Sequence, residues 1–415
     1  MPDLHDLSAI GFGTYRWTAT PEQVHALHLA LEAGCNLVDT AATYGAGLTE
    51  RGLGRELHRR DRVFVITKAG YLHDGELAPG AVMLTDGRSG YSIHPDLLAQ
   101  RIAESARHLH RDVLDGFLLH NPEHLLAIKG AAAYLRDVSL AFEFCERAVD
   151  EGRIRFYGIS SNTLSQSDHP LGPSALDTLV TIARSINTDH HFRLVQFPHN
   201  LAERHVAHAD APLFAAAARH GLRTLGNRPL SAKTKTGPVR LLDPPSPPPR
   251  PAADALGDLA RTVDDTLTDT GLRTADTPPA LATVLKQWPQ VRTVDAVEFM
   301  VEQVLTPLVT RLPRTPRLTT LLAEVHTAAL TEARRTQALA GARVVEQTQL
   351  AGHPGDPMAL RVCETYLRDG LDHVLLGMRN ADHVHTVAPL LNGNHPARRA
   401  RDEHHRLAAV DTTHR

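Results

Sequence analysis

The alternation of short apolar runs with longer amphipathic runs is the feature of this sequence that most constrains its fold. Strand-like runs such as LSAIGFG, CNLVD and RVFVITKA are each followed by a helix-like run, and seven such units are complete by about residue 230. An eighth helix and strand, PMALRVCETYLRDG and LDHVLLG, follow near the end of the chain. The strand-like runs are apolar on both faces, as parallel strands covered by helices are. Eight such units predict an α/β fold, a (β/α)8 TIM barrel, rather than a doubly wound sheet.

The alternation of strand-like and helix-like runs is interrupted between the seventh and eighth units. The stretch DPPSPPPRP, residues 243 to 251, cannot form a helix interior or a central strand, because proline lacks a backbone donor. Residues 252 to about 350 show helical periodicity, and a structureless loop of that length is rare inside a domain. We therefore expect a large, mainly helical insertion after strand 7, which covers the catalytic face, decorates the barrel or forms a dimer contact. The expected divisions are barrel units 1–7 in 1–235, the Pro-rich loop and insertion in 236–351, the last barrel unit in 352–395 and a C-terminal tail in 396–415.

Composition argues against several classes of protein. The net charge of −3 gives no electrostatic reason to expect nucleic acid or an anionic membrane as a partner. Cys35, Cys145 and Cys363 are too widely spaced for a disulfide framework or a CxxC site, which indicates a reducing, cytoplasmic compartment. We expect no signal peptide, because MPDLHDLSAIGFG lacks a basic start and a long apolar core, and no transmembrane helix, because no apolar run is long enough. The 26 histidines are scattered and form no HExxH motif, so we expect no metal site.

Four polar side chains lie at or just beyond the carboxyl ends of consecutive predicted strands. Asp39 ends the second strand, Tyr44 follows it in the same loop, Lys68 ends the third strand and His120 ends the fourth. Alone, each has an ordinary structural explanation, such as a helix cap, a solvated lysine or a buried histidine. Because these strand ends meet on one face of a parallel barrel, we expect the four side chains to converge there.

A carboxylate, a lysine, a phenol and an imidazole suit general acid catalysis at a carbonyl group. A phenol has a pKa of about 10 in water, and a neighbouring ammonium is expected to lower it. The carboxylate would keep the lysine charged, and a neutral imidazole could donate a hydrogen bond to the carbonyl oxygen. The phenol could then protonate that oxygen as negative charge develops on it. We therefore interpret Tyr44 as the acid and Asp39 as its support.

Seven segments in order resemble the aldo-keto reductase superfamily, in particular its longer bacterial-type members. Members are NAD(P)H-dependent carbonyl reductases built on a TIM barrel, and the resemblance spans roughly residues 7 to 235 and 352 to 392. It implies that Tyr44 is the general acid and that Asp39, Lys68 and His120 complete a catalytic tetrad. The segments are IGFGTYR, LVDTAATYG, VITKAG, LLHNPE, GRIRFYGISSN, VQFPHNL and VLLGMRNADHV.

The resemblance also implies an NADPH site. Many members have an aromatic residue where GNRPL places Asn227, so stacking on the nicotinamide is expected to be weaker or supplied elsewhere. The usual Glu-Asn pair after the last strand falls on Thr386 and Val387, which alters adenine recognition. A guanidinium suits phosphate, so Arg379 favours NADPH over NADH. The implied cofactor-binding residues are Gly13, Thr14, Tyr15, Asp39, Ser161, Asn162, Gln196, Asn227, Arg228, Pro229, Leu230, Gly377, Arg379, Asn380 and His383, of which Ser161, Asn162 and Gln196 would hold the carboxamide.

These features together favour an NADPH-dependent oxidoreductase that reduces an aldehyde or ketone of a small molecule to an alcohol. Two other functions stay open: a nucleotide-binding regulatory barrel, and a biosynthetic enzyme that runs a dehydrogenation or a dehydration. The complete tetrad argues against the regulatory barrel, because a protein that only binds nucleotide has no need of Lys68 or His120. The choice of substrate is made by loops, so the sequence leaves the substrate and the oligomeric state open.

Overall fold

The chain divides into two compact units, Met1–Leu230 with Leu350–Arg415, and Ser231–Gln349. The computed structural model describes residues 3–58, 60, 62–166, 169–170, 172, 175–201, 212–234, 237–270, 277–313, 315–346 and 348–391. The C-terminal tail expected at residues 396–415 lies outside the described residues. In the described part of the chain, no helix combines the length and the apolar character needed to cross a lipid bilayer.

Eight parallel strands close into a barrel in the first unit, which confirms the predicted TIM-barrel fold. Each strand pairs with the next in chain order, and the last strand pairs with the first through Ile10 opposite Val374. The strands are β1 Ile10–Gly13, β2 Leu37–Asp39, β3 Phe64–Ala69, β4 Leu114–His120, β5 Ile154–Ser160, β6 Phe192–Pro198, β7 Arg223–Asn227 and β8 His373–Leu376.

Helices follow the strands at the positions that the sequence marks with caps and prolines. The first begins at Pro21, after Thr20 accepts a hydrogen bond from the Gln23 amide at 3.3 Å, and the third begins at Pro95, as the amphipathic run PDLLAQRIAESARHL predicts. The run VSLAFEFCERAVDEG predicts a helix over residues 138–152, but that helix starts at Ala131 and is preceded by a short helix that was not predicted. The helices up to the seventh strand are α1 Pro21–Glu32, α2 Leu48–Leu57, α3 Pro95–Leu109, α4 Glu123–Lys129, α5 Ala131–Asp150, α6 Ala175–Ile186 and α7 Pro212–Arg219.

The second unit is mainly helical, which confirms the predicted insertion after strand 7. It opens with a hairpin of Ser231–Thr234 and Gly237–Arg240, and residues 243–251 then form neither helix nor strand. Apolar residues such as Leu256, Val263 and Val325 give this unit a hydrophobic core of its own. Its helices are α8 Ala252–Thr270, α9 Thr277–Gln287, α10 Val294–Phe299, α11 Thr306–Thr310 and α12 Pro316–Glu346, with a π-helical turn at Met300–Leu305.

The chain then returns to the barrel. The helix α13 Met358–Arg368 leads into β8, and α14 Ala381–Leu391 follows it. A second short hairpin, Val82–Met83 with Gly90–Tyr91, lies in the loop after β3 and was also missed in the sequence. Both hairpins have strands of two to four residues that pair with a near neighbour, so neither leaves a long apolar run.

Candidate active site

The polar residues of the site occupy the inward-facing positions at the carboxyl ends of the barrel strands. In β3, Phe64 and Ile66 belong to the barrel core, and Lys68 is the next residue on the same face. Where a polar residue takes the last inward position of a strand, the apolar core ends. The polar side chains of neighbouring strands therefore lie together at the carboxyl-terminal end of the barrel, here called the mouth. The same two-residue step leads from Leu37 to Asp39, from Leu118 to His120, from Leu194 to Gln196 and from Leu225 to Asn227.

Lys68 and Asp39 form a buried ion pair at the centre of this mouth. The Lys68 Nζ atom lies 2.8 Å from each carboxylate oxygen of Asp39 and donates a further hydrogen bond to the Thr40 carbonyl at 2.7 Å. The Lys68 side chain is fully buried, and burial lowers its pKa, while the Asp39 charge opposes that shift. The carboxylate is therefore what keeps a lysine charged in this position.

Tyr44 lies beside this pair, in the turn that connects β2 to α2. The turn reverses through three successive residues with positive φ, Gly45 at 56°, Ala46 at 51° and Gly47 at 83°. The half-buried Tyr44 ring has the Lys68 ammonium 5.3 Å from its centroid and the His120 ring at a centroid distance of 6.3 Å. The structure thus brings together all four residues that the sequence singled out.

The expectation that the ammonium lowers the Tyr44 pKa is wrong for this arrangement. Burial raises the pKa of the Tyr44 phenol well above its ordinary value, and the negative charge of Asp39 adds to that rise. Because Lys68 is paired with Asp39 at 2.8 Å, the phenol faces an ion pair rather than a lone cation. Tyr44 therefore holds its proton firmly at neutral pH.

His120 is neutral in the same surroundings. Burial lowers the pKa of its imidazole to about 3, and the positive charge of Lys68 contributes to the shift. Its Nδ1 atom is buried and has no hydrogen-bond partner in the part of the chain that the structure describes. A neutral ring of this kind can donate one hydrogen bond to a substrate oxygen without carrying a charge.

Gln196 and Asn227 are tied to the tetrad by hydrogen bonds between strands. The Gln196 amide nitrogen donates to Asp39 Oδ1 at 2.7 Å, and its oxygen accepts from Ser160 Oγ at 2.9 Å and from Asn227 Nδ2 at 3.2 Å. Ser160 was not predicted, although it is the last inward position of β5 and its neighbour Ser161 was. The buried Asn227 Oδ1 atom makes no hydrogen bond to the described residues.

The loop after β5 presents Asn162 at the edge of the mouth. Its backbone amide donates to Glu123 Oε1 at 2.9 Å, and its side-chain nitrogen donates to Asn121 Oδ1 at 3.0 Å and to Glu123 Oε1 at 3.3 Å. Ser161 is buried next to it and bonds to the Thr163 hydroxyl at 3.0 Å. Asn121 and Glu123 were missed as site residues, although both stand in the quoted segment LLHNPE.

The residues expected around the nicotinamide end of the cleft lie at the end of β1 and directly after it. Thr14 is buried and donates its hydroxyl to the Asp39 carbonyl at 2.8 Å, which anchors the end of β1 to β2. Tyr15 is 67% exposed, and its ring meets the Tyr44 ring at a centroid distance of 5.5 Å. Gly13 is the last residue of β1 and precedes this pair.

The remaining residues expected to bind the cofactor follow β7 and β8. Arg228 has a φ of 52°, the Pro229 carbonyl accepts from the Tyr366 hydroxyl at 3.1 Å, and Leu230 follows. After β8, Gly377 and Arg379 are exposed. The Asn380 side chain accepts from the His383 amide at 3.0 Å, next to the first turn of α14. Within the described ranges, no cluster of three or more His, Cys, Asp or Glu side chains could hold a metal ion.

Comparison with known proteins gives one consistent result. The model of the aldo/keto reductase family matches residues 9–273. Aldo-keto reductase YhdN of Bacillus subtilis (strain 168) is 24% identical over 217 residues, which is 50% of this chain and 54% of that protein. D-threo-aldose 1-dehydrogenase of Pseudomonas sp is 29% identical over 199 residues, 43% of this chain and 57% of that protein.

The chain spans only about half the length of these curated relatives. Among solved structures, an aldo/keto reductase from Klebsiella pneumoniae in complex with NADP and acetate is 16% identical. It aligns over 97% of this chain and 92% of that one, with a TM-score of 0.43.

Proposed function

We propose that this chain, which belongs to the aldo/keto reductase family, is an NADPH-dependent oxidoreductase. It would reduce the carbonyl group of a small molecule to an alcohol. One observation carries the proposal: Tyr44 and His120 stand together beside the buried Lys68–Asp39 ion pair. A neutral imidazole, a protonated phenol and a buried ammonium are what a carbonyl oxygen needs as it gains negative charge.

The residues at the mouth suit a nicotinamide cofactor. The side-chain nitrogen of Asn162 is hydrogen-bonded within the protein, whereas its Oδ1 atom makes no hydrogen bond to the described residues. That oxygen can therefore accept from a carboxamide N–H group. The buried Asn227 Oδ1 atom is a second acceptor of this kind. Arg379, exposed beyond β8, would pair with the 2′-phosphate of NADPH. When bound, NADPH supplies the hydride that reduces the carbonyl carbon.

Tyr44 is the proposed general acid. Because its pKa is raised by burial, the phenol keeps its proton until the substrate oxygen becomes a stronger base than a ground-state carbonyl. His120 would donate a hydrogen bond to the same oxygen and so hold it beside the phenol. The neighbouring Lys68 ammonium would stabilise the phenolate that remains, and Asp39 keeps that ammonium in place.

The decisive test is turnover by the purified chain. A panel of aldehydes and ketones is offered with NADPH, its oxidation is followed by absorbance, and the product is identified by mass spectrometry. We expect alcohol formation by the wild-type protein and its loss in Tyr44→Phe. Tight NADPH binding without turnover of any carbonyl would favour the regulatory barrel, and a product that has lost water would favour the dehydration.

A further inference from the structure

Tyr71 lies three residues beyond Lys68, in the loop after β3, and the backbone around it is fixed. Tyr71 forms an antiparallel bridge with Tyr91. On either side of it, the Leu72 amide donates to the Gly90 carbonyl at 2.9 Å and the Ser92 amide to the Gly70 carbonyl at 2.8 Å. The Tyr71 ring is therefore held towards β4 by the chain on both sides of it.

The ring of Tyr71 contacts the proposed hydrogen-bond donor of the site. Its centroid lies 5.2 Å from that of His120, with an angle of 83° between the rings. This edge-to-face contact is among the favoured arrangements of aromatic pairs. The His120 ring thus contacts the rings of both Tyr71 and Tyr44.

The hydroxyl of Tyr71 belongs to a chain of hydrogen bonds that ends at Asn162. Asn121 Nδ2 donates to Tyr71 Oη at 2.7 Å, and Tyr71 Oη bonds to His124 Nε2 at 3.0 Å. At its other end, the Asn121 side chain accepts from Asn162 Nδ2 at 3.0 Å. Turning the Asn121 amide over would set its nitrogen against Asn162 Nδ2, a donor against a donor.

Asn121 itself is fixed at a demanding position. Its φ is 58°, in the left-handed region that asparagine tolerates better than most residues, and its amide donates to the Ser160 carbonyl at 2.7 Å. The backbone therefore sets where the Asn121 side chain starts, and the bonds to Tyr71 Oη and Asn162 Nδ2 hold its amide. Asn121 Oδ1, together with Glu123 Oε1, holds the Asn162 nitrogen, so the Asn162 oxygen faces away from both acceptors.

We propose that Tyr71 is a positioning residue that orients Asn162 for the nicotinamide carboxamide through Asn121. This inference rests on the proposed function, since it assigns a carboxamide to Asn162.

The test uses Tyr71→Phe, which keeps the ring and removes the hydroxyl. We expect the dissociation constant for NADPH to rise about two- to tenfold, the scale of one hydrogen bond. The affinity for 2′,5′-ADP, which has no nicotinamide, should not change. Tyr157→Phe is the matched control, because Tyr157 is buried on the outer side of β5 against Phe142 and Phe192.

A double-mutant cycle with Asn162→Ala makes the test specific. If Tyr71 acts through Asn162, adding Tyr71→Phe to Asn162→Ala weakens NADPH binding no further. Should Tyr71→Phe unfold the protein, Asn121→Gly interrupts the same chain and suits a positive φ, and the same pattern is expected.

Three results would overturn the inference. The first is NADPH binding by Tyr71→Phe equal to wild type, and the second is an unchanged effect of Tyr71→Phe in the Asn162→Ala background. The third is an equal loss of affinity for NADPH and 2′,5′-ADP, which would place the defect away from the nicotinamide. A wild-type protein that binds no NADPH would instead overturn the proposed function, and the inference with it.

Discussion

The side-chain amide of Gln196 donates a hydrogen bond to Asp39 Oδ1 at 2.7 Å, which joins β6 to β2 across the mouth of the barrel. The same carboxylate pairs with Lys68 through both of its oxygens. Asp39 is therefore fully engaged by the protein, and its place in the site is to hold two other side chains. A residue engaged in this way has an effect on stability that can be measured apart from activity.

Asp39→Asn should destabilise the protein strongly. The substitution leaves the buried Lys68 ammonium without a countercharge, which costs about 3–5 kcal/mol in comparable buried pairs. The double variant Asp39→Asn with Lys68→Met removes both charges and should recover much of that loss. Denaturant unfolding measures both values, and a double variant that is less stable than Asp39→Asn alone would contradict the expected charge imbalance.

Tyr44→Phe should retain NADPH affinity and lose carbonyl reduction by at least about 100-fold, the scale of a missing general acid. The ring and its contact with His120 remain, so the cleft keeps its shape. Steady-state rates and fluorescence titration of NADPH separate the two effects, with Tyr157→Phe as the control. Turnover close to wild type would show that another group protonates the product. Lys68→Met should lower the rate similarly, because the phenolate loses its cationic neighbour.

Arg379→Ala should raise the dissociation constant for NADPH far more than that for NADH. NADH has no 2′-phosphate, so it loses nothing when the guanidinium is removed. The control is Arg219→Ala. Arg219 is an exposed residue at the end of α7, and it pairs with Asp177. Equal weakening for the two cofactors, measured by titration, would mean that Arg379 does not bind the phosphate.

His120 should make the folded state less stable in acid. The folded protein keeps the imidazole neutral down to a pKa of about 3, whereas the unfolded chain binds the proton near the ordinary value. Between those values the unfolded state binds more protons, so the free energy of unfolding falls as pH falls. His120→Gln removes this contribution and should reduce the loss between about pH 7 and about pH 4.5 by about 1–3 kcal/mol. Parallel curves for the two proteins would show that His120 takes up its proton over the same pH range in the folded and unfolded states.

Two glycines of the second unit should respond in opposite directions to alanine. A Cβ atom at Gly341 in α12 would lie 1.9 Å from the Arg240 carbonyl oxygen of the hairpin, so Gly341→Ala should cost about 1–3 kcal/mol. A Cβ at Gly257 in α8 meets only the end of Arg261 at 3.8 Å, and alanine there should stabilise the helix by up to about 1 kcal/mol. Thermal unfolding of the two variants checks the contrast, which equal shifts would refute.

The barrel and the positions of Asp39, Lys68 and His120 could be predicted because they follow from the two-residue period of strands. Once a run is identified as a buried parallel strand, a polar residue at its carboxyl end must lie at the mouth, as Lys68 does after Ile66. The hydrogen bonds of Tyr71 and Asn121 could not be predicted in this way. They depend on a hairpin of two-residue strands and on a left-handed asparagine, and neither has a periodic signature.

The Tyr44 pKa shows a second limit of the sequence. The residue types indicated that an ammonium stands near a phenol, and it does. Which effect prevails depends on how deeply the phenol is buried and on how closely Asp39 neutralises the lysine. Both are properties of packing, and the order of residues along the chain does not encode the balance between them.

The pairing of β8 with β1 and β7 has a consequence for how the chain is made. Val374 pairs with Ile10 on one side and with Gly226 on the other, although the whole second unit separates β7 from β8 in sequence. During synthesis, the edges of β1 and β7 therefore expose unpaired backbone groups until the ribosome has passed residue 376, and such edges are templates for aggregation. We expect the yield of soluble protein to depend on how quickly β8 is synthesised, because closure of the barrel requires contacts between distant parts of the chain.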